Sequence, residues 1–439
     1  MNNILGDVLS PAKNAWDAWE MLTLEPLHAN DPRYVDCSVA RGINVVQKLH
    51  TALRLHSRAN RCMHQLFTGY RGDGKTTELY RFIGLIENEY RPLYFNAEEE
   101  FDLNDFRFPD FLLGIATVVF ERMNEQKLRL PNDLLKKVAD WFSQIVVTVE
   151  RKSSAELKAE AGIGIPKWFQ FVTGKLVGTI KTGGEKRRQV RTELNQSLTH
   201  LIHHVDELLS AATKVSKDFD NREPVIIFDN LDRLHPELAF DLFHTNGQNL
   251  GGLNCHFVYV VPISLLYRRE GTRLPFRSSP ITMKMIPVRN SDGTPNEGNI
   301  SHLTQVLMKR FVPDKIMTNP DEIMRDFILS SGGHLRDLIR LFSQACSDAL
   351  GEPDEKINKN ITQRAINELC ETYQKAVEEE DYKNLIETYK TKGVRNDERT
   401  QLLIYNTAIL VYDENGLEWY DVHPALANGK KFKKLLQGS

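Results

Sequence analysis

The sequence predicts an α/β fold: a parallel sheet with helices on both faces, followed by a helical lid and a small C-terminal domain. Three observations carry this expectation. Val225-Ile226-Ile227-Phe228 is a continuous apolar run closed by Asp229, the pattern of a strand buried on both faces. A glycine-rich loop at 69–76 lies between a short apolar segment and a helical pattern. Short apolar runs alternate with helical periodicity to about residue 290, after which helical periodicity continues alone up to a hairpin signal.

Residues 12–22 and 38–57 carry apolar positions three and four apart, giving an N-terminal helical segment over 1–60. A core over 61–290 then begins with a strand at 63–68, a helix at 75–88, a second strand at 91–96, and helices at 103–124 and 131–149. Residues 150–190 break the rhythm. Gly162, Gly164, Gly174, Gly178, Gly183 and Gly184 mix with aromatics, then with the basic run KTGGEKRRQVR. The segment reads as an insertion, either an amphipathic hairpin or a loop that orders late. Its IGIPKWFQF stretch offers core packing or a docking face for a partner or a membrane surface.

A long helix at 187–215 returns the chain to the core. Strand 224–229, helix 236–249, strand 255–261, a helix near 264–270 and strand 281–288 complete a doubly wound pattern. Helices at 301–311, 320–330 and 334–351 make a lid over 291–358. Helix 361–377 opens the C-terminal domain, 359–439. There, apolar segments 409–412 and 417–420 flank Asp413-Glu414-Asn415-Gly416, and Asn-Gly is a strong hairpin turn. Helices followed by a hairpin resemble a winged helix.

At 439 residues the chain is long for one domain and comfortable for two or three. Its 41% hydrophobic and 26% charged residues are an ordinary globular composition. A net charge of −3 gives no chain-wide basic excess, so any nucleic-acid contact has to be local. Cys37, Cys62, Cys255, Cys346 and Cys370 form no Cys-x-x-Cys pair and no zinc spacing, which fits free thiols in a reducing compartment. MNNILGDVLSPAKNAWDAWE lacks the basic start, apolar core and cleavage site of a signal peptide. No run of about 18 apolar residues occurs. The expectation is a cytoplasmic chain with no transmembrane segment.

Gly69-Tyr70-Arg71-Gly72-Asp73-Gly74-Lys75-Thr76 fits G-x-x-x-x-G-K-[ST], the Walker A motif, without a mismatch, and lies between a strand and a helix as the motif requires. The glycines let backbone N–H groups turn inward as an anion nest, and the helix N-terminus adds its positive end. Lys75 is placed to reach the β- and γ-phosphates and the Thr76 hydroxyl to ligate Mg²⁺, with Thr77 next along the loop. Arg71 and Asp73 read as solvated loop residues.

A P-loop enzyme needs a carboxylate at the end of a neighbouring buried strand to hold the metal. Asp229 supplies it, the alternative being a helix cap at a strand end. In Asn230-Leu231-Asp232-Arg233 the first residue carries no carboxylate, so Asp232 is the candidate to orient attacking water; the plainer role is an ion pair with Arg233.

FTGYRGDGKTTEL, VIIFDNLDRL and SGGHLRDLIRLF, in this order over 38–350, resemble the AAA+/STAND branch of P-loop ATPases, nearest to prokaryotic relatives of the Orc/Cdc6 and KAP-type proteins. The Asp-x-Leu-Asp-Arg ending resembles the "DDLDR" of the KAP and STAND groups, with Asn230 at the second position. LEWYDVHPAL resembles the ending of many prokaryotic AAA-type ATPases that close on a winged helix. The resemblance implies ATP and Mg²⁺ as ligands. It implies Arg336 as a sensor-2 arginine on the γ-phosphate, opposed by the plainer reading of a pair with Asp337. Ser264 is a weak match to sensor 1. An arginine finger acting in a neighbouring subunit falls among Arg268, Arg269, Arg273 and Arg277. Arg41 falls in the segment that covers the base.

With these parts, catalysis is positioning and charge neutralisation. Because the family's arginine finger acts in trans, a homo-oligomer is expected. Three functions stay open: an ATP-driven switch that controls a protein effector, as in STAND-type or phage-defence (antiviral) ATPases; a DNA-associated ATPase of the origin-recognition or transposition-regulator kind; and a nucleotide-binding scaffold with negligible turnover. Lys430, Lys431, Lys433, Lys434 and the KRRQVR run are the local basic groups for a DNA backbone. No guanine-specifying Asn-Lys-x-Asp occurs, and ATP is favoured over GTP through the resemblance.

Overall fold

The computed structural model describes residues 10–161, 164–268, 273–414 and 416–438. Strands β1 (His64–Gly69), β2 (Tyr90–Asn96), β3 (Glu223–Asp229), β4 (His256–Pro262) and β5 (Ile281–Met283) form one parallel sheet in the order β2-β3-β4-β1-β5. The predicted P-loop sheet with flanking helices is the fold observed. Strand side chains alternate between two cores, as a period of two requires. Val225, Ile227, Val258 and Val260 pack against Leu49, Leu53, Leu79 and Phe82 on one face. Ile226, Phe228, Phe257 and Tyr259 pack against the helix Phe108–Glu125 and its neighbours on the other. All strand C-termini therefore reach one edge, where Asn96 lies level with Asp229 and Gly69 with Pro262.

The described part of 150–190 is helical and not a loop. Helices Ser154–Ala161, Ile165–Thr182 and Gly184–Gln196 run through the segment, and Trp168, Phe169, Val172, Leu176 and Ile180 belong to the same core as Phe228. The glycines misled because they sit on open faces: a Cβ at Gly174 or Gly178 meets nothing within 4 Å. Each costs about 1 kcal/mol of helix propensity, which the apolar stripe outweighs. Gly162 lies outside the described residues. The helix expected over 187–215 is two, Gly184–Gln196 and Leu198–Asp220, meeting at Ser197. The last strand stops at Met283 rather than 288, because Met285 N–H turns to the Val411 carbonyl at 3.3 Å. The stretch expected as a helix near 264–270 is a 3-10 turn, Ile263–Tyr267, as far as it is described.

Helices Glu297–Met308, Pro320–Ser331 and Leu335–Ala349 share a second core with Ala15 and Ala18 of the N-terminal helix Ala15–Met21. Beyond them, helices Lys359–Lys375, Asp381–Thr391 and Glu398–Tyr405 lead into an antiparallel hairpin, β6 (Ile409–Glu414) and β7 (Leu417–Val422), and then helix Lys430–Gln437. The hairpin's Asn415 lies outside the described residues. A third core joins this hairpin to Tyr70 and Met285, so the C-terminal region is packed onto the loop after β1. Among the described residues no helix is long and apolar enough to cross a membrane.

Candidate nucleotide site

A cleft of about 450 Å³ opens where β1, β2 and β3 end. The loop after β1 turns through Gly72 (φ 84°) and Gly74 (φ 92°), left-handed conformations that glycine adopts without strain. Lys75 follows at the start of helix Lys75–Ile86 and is 5% exposed. Its Nζ donates to the carbonyls of Gly69 (3.0 Å) and Tyr70 (2.7 Å) and lies 2.7 Å from Asp232 Oδ2. Thr76 Oγ1 donates to Asp229 Oδ2 at 2.6 Å, and the Tyr94 hydroxyl donates to the same oxygen at 2.9 Å. Burial pushes the Asp229 carboxyl up against these donors, with the Asp232 charge adding to the push. A buried ammonium, a glycine-shaped loop and a hydroxyl beside a carboxylate form a donor set that fits a triphosphate and a hard, oxygen-seeking cation such as Mg²⁺.

Several predicted residues have other neighbours than expected. Arg41 lines the cleft but is tied down within the protein. It is 6% exposed, and its Nη1 donates to Asp73 Oδ2 (3.1 Å) and the Lys284 carbonyl (2.6 Å), while Nη2 donates to the Asp73 carbonyl (2.8 Å). Asp73 is thus a buried ion-pair partner and not a solvated loop residue. Arg71 is not free either: its guanidinium lies 4.4 Å from the Tyr405 ring centre, bonds the Tyr405 hydroxyl and donates to the Arg233 carbonyl at 2.9 Å. Asp232 pairs with Lys75 and not with Arg233, which pairs with Glu98.

Arg336, in the first turn of helix Leu335–Ala349, lies against the loop: a Cβ on Gly72 would overlap its side chain. Burial lowers its pKa, and repulsion from Arg340 and Arg233 adds to this. It does not pair with Asp337. That carboxylate instead accepts from the Tyr373 hydroxyl at 2.6 Å, with His334 Nδ1 at 2.9 Å and His423 Nε2 at 3.3 Å beside it. Despite its own burial Asp337 sits well below the usual carboxylate range, held there by His334 and His423. His334 Nε2 lies 2.7 Å from the Arg71 carbonyl, so one buried cluster joins loop, lid helix and C-terminal region. Tyr70 adds a second tie, donating from its hydroxyl to the Ile409 carbonyl at 2.8 Å.

Ser264 is buried away from the cleft, and its Oγ has no partner among the described residues. Arg268 pairs with Glu237 at 2.9 Å; Arg273 and Arg277 do not line the cleft, and Arg269 lies outside the described residues. Thr77 Oγ1 accepts the Leu27 N–H at 3.0 Å, which seats the N-terminal segment 23–27 beside the loop.

Sequence reasoning missed Tyr94, Asn96 and that N-terminal segment. Tyr94 and Asn96 could have been found by pairing RPLYFN in parallel with PVIIFD, because Asn96 then falls level with Asp229. Asn96 Oδ1 accepts from Asn230 Nδ2 at 2.7 Å. Nothing local in 23–27 marks it as a wall of the cleft.

No family profile matches the chain, and no curated protein matches it. Among solved structures it is similar to the Aeropyrum pernix Orc1 protein in complex with DNA, at 12% identity over 95% of this chain and 98% of that one, TM-score 0.39. It is also similar to the Thermotoga maritima RuvB Holliday junction branch migration motor (11%, 92% and 98%, TM-score 0.34) and to Drosophila ORC bound to DNA (10%, 96% and 92%, TM-score 0.38). The functional reading therefore rests on the geometry of the site itself.

Proposed function

We propose that this chain is a Mg²⁺-dependent ATP-binding and hydrolysing switch of the AAA+/STAND kind, which oligomerises and controls a protein effector. The observation that carries the reading is the cluster of Lys75, Thr76, Asp229 and Asp232 at the sheet edge, beneath a loop that the C-terminal region grips through Tyr70 and Tyr405. A nucleotide loop welded to a distant hairpin has a route for its occupancy to be felt there.

In this reading the loop N–H groups and Lys75 bind the β- and γ-phosphates. Thr76 and Asp229 hold the Mg²⁺, which offsets phosphate charge when bound. A phosphate oxygen and the Asp232 carboxylate compete for the same Lys75 ammonium. Drawn off the lysine, Asp232 is placed to accept a hydrogen from attacking water and align it with the γ-phosphorus. Arg336, which forms no ion pair among the described residues and presses on Gly72, would meet the γ-phosphate charge. Its movement would carry the lid helix, and with it the Asp337 cluster and the C-terminal region.

The test is hydrogen exchange with Mg-ATP, Mg-ADP and no nucleotide. The reading expects ATP to change protection at 69–77 and at 409–422 together, and Lys75→Ala to remove both changes. Protection confined to the loop would sink the switch and leave a nucleotide-binding scaffold.

A further inference from the structure

Where the N-terminal segment and the lid both line the cleft, apolar side chains surround a charge that the phosphate site does not use. Leu24, Leu27 and Val35 from the N-terminal segment and Val306 and Ile339 from the lid line the cleft together with Arg310. Arg310 is 7% exposed. Its Nη1 donates to the carbonyls of Val306 (2.7 Å) and Arg33 (3.3 Å), while Nε is buried without a hydrogen-bond partner and Nη2 has none among the described residues. Among the described residues no carboxylate lies within ion-pair distance of it, and the nearby Asp31 is taken by Arg33 at 2.7 Å. A guanidinium out of water and without a counter-ion is destabilising unless another acceptor meets it. Burial and the repulsion of Arg33 accordingly pull its pKa to about 10. Among the described residues Nε therefore keeps a hydrogen with no acceptor, and Leu24, Leu27, Val35, Val306 and Ile339 supply apolar surface against which an aromatic ring can pack.

We propose that Arg310 is a specificity-determining residue that donates a hydrogen bond to a ring nitrogen of the adenine base. The base lies between the N-terminal segment and the lid. Thr77, bonded to Leu27, ties this part of the cleft to the phosphate loop. An arginine carries donors only, so it favours an acceptor edge and tolerates no base that turns an amino group or a C–H toward it. This inference rests on the reading of the cleft as an ATP site.

The experiment measures equilibrium binding of ATP, 1-deaza-ATP, 3-deaza-ATP and 7-deaza-ATP to the full chain and to Arg310→Met and Arg310→Lys, each checked for folding by circular dichroism. A charge-assisted hydrogen bond predicts a loss of roughly ten- to hundredfold for ATP with Arg310→Met. One deaza analogue must bind the unmodified protein correspondingly weakly and lose nothing further in the variant. Arg310→Lys, which keeps a charged donor, should recover part of the affinity. Equal loss of ATP and all three analogues in Arg310→Met would show a merely structural role and overturn the inference. So would full-strength binding of all three analogues by the unmodified protein. Failure of the unmodified protein to bind ATP at all would instead overturn the ATP reading on which the inference stands.

Discussion

The Asp232 carboxylate lies 2.7 Å from the Lys75 ammonium, so the group read as orienting water is also the counter-ion of the lysine read as holding phosphate. The two roles separate under mutation. Asp232→Asn removes the competitor for Lys75 while keeping the side chain's shape. ATP affinity should hold or rise, whereas turnover should fall by roughly 10²–10⁴, the usual worth of a positioned general base. Calorimetric titration beside a phosphate-release assay checks both. Unchanged turnover would reduce Asp232 to a counter-ion.

Gly72 has φ 84° and Arg336 against the space a Cβ would fill. Gly72→Ala should therefore weaken ATP binding by tenfold or more with only a small fall in melting temperature, because the strain is local to the loop. The same substitution at Gly174, where nothing lies near, should leave binding unaltered and add slightly to stability.

The hydroxyl of Tyr70 meets the Ile409 carbonyl at 2.8 Å in a fully buried setting. Tyr70→Phe leaves that carbonyl without its partner and should cost about 1–3 kcal/mol in chemical denaturation. It should also weaken any nucleotide-dependent exchange protection over 409–422 more than that over the loop.

His64, stacked on Phe257 and bonded to the Leu253 carbonyl at 3.0 Å, is held neutral by burial, with its pKa drawn from 6.5 down to about 4. The unfolded chain then binds a proton in that interval and the folded chain does not. The His64 contribution is present above pH 6.5 and is lost as pH falls through about 4, amounting to roughly 3 kcal/mol. His64→Gln should flatten that part of the stability curve relative to the unmodified protein, measured by denaturant midpoints at pH 7 and pH 4.5.

Phe169 belongs to the main core and is fully buried, although its segment reads in sequence as an insertion. Phe169→Ala should destabilise by about 3–5 kcal/mol, as for other large core truncations. A loss below 1 kcal/mol would mean that 150–190 is peripheral after all.

The sheet and its loop were legible because their signals are local: an unbroken apolar run into Asp229, and glycines at fixed spacing before Lys75. The helices over 150–190 were not. Sequence pattern weighs six glycines against helix, while the structure leaves Gly174 and Gly178 on open faces and buries the stripe from Trp168 to Ile180. At the site, Thr76 beside Asp229 follows from motif chemistry alone. The pairing of Arg41 with Asp73, 32 residues apart, and of Asp337 with His423 joins segments that no period or motif connects. Charge pairing across such distances is set by how the layers pack, and only the fold reveals it.

The most direct test of the central claim, an ATP-driven switch completed by assembly, is phosphate release from Mg-ATP as a function of protein concentration, with Lys75→Ala alongside. The account predicts a rate per subunit that climbs with concentration and disappears in the variant. A rate per subunit that stays flat, or turnover that survives Lys75→Ala, would contradict it.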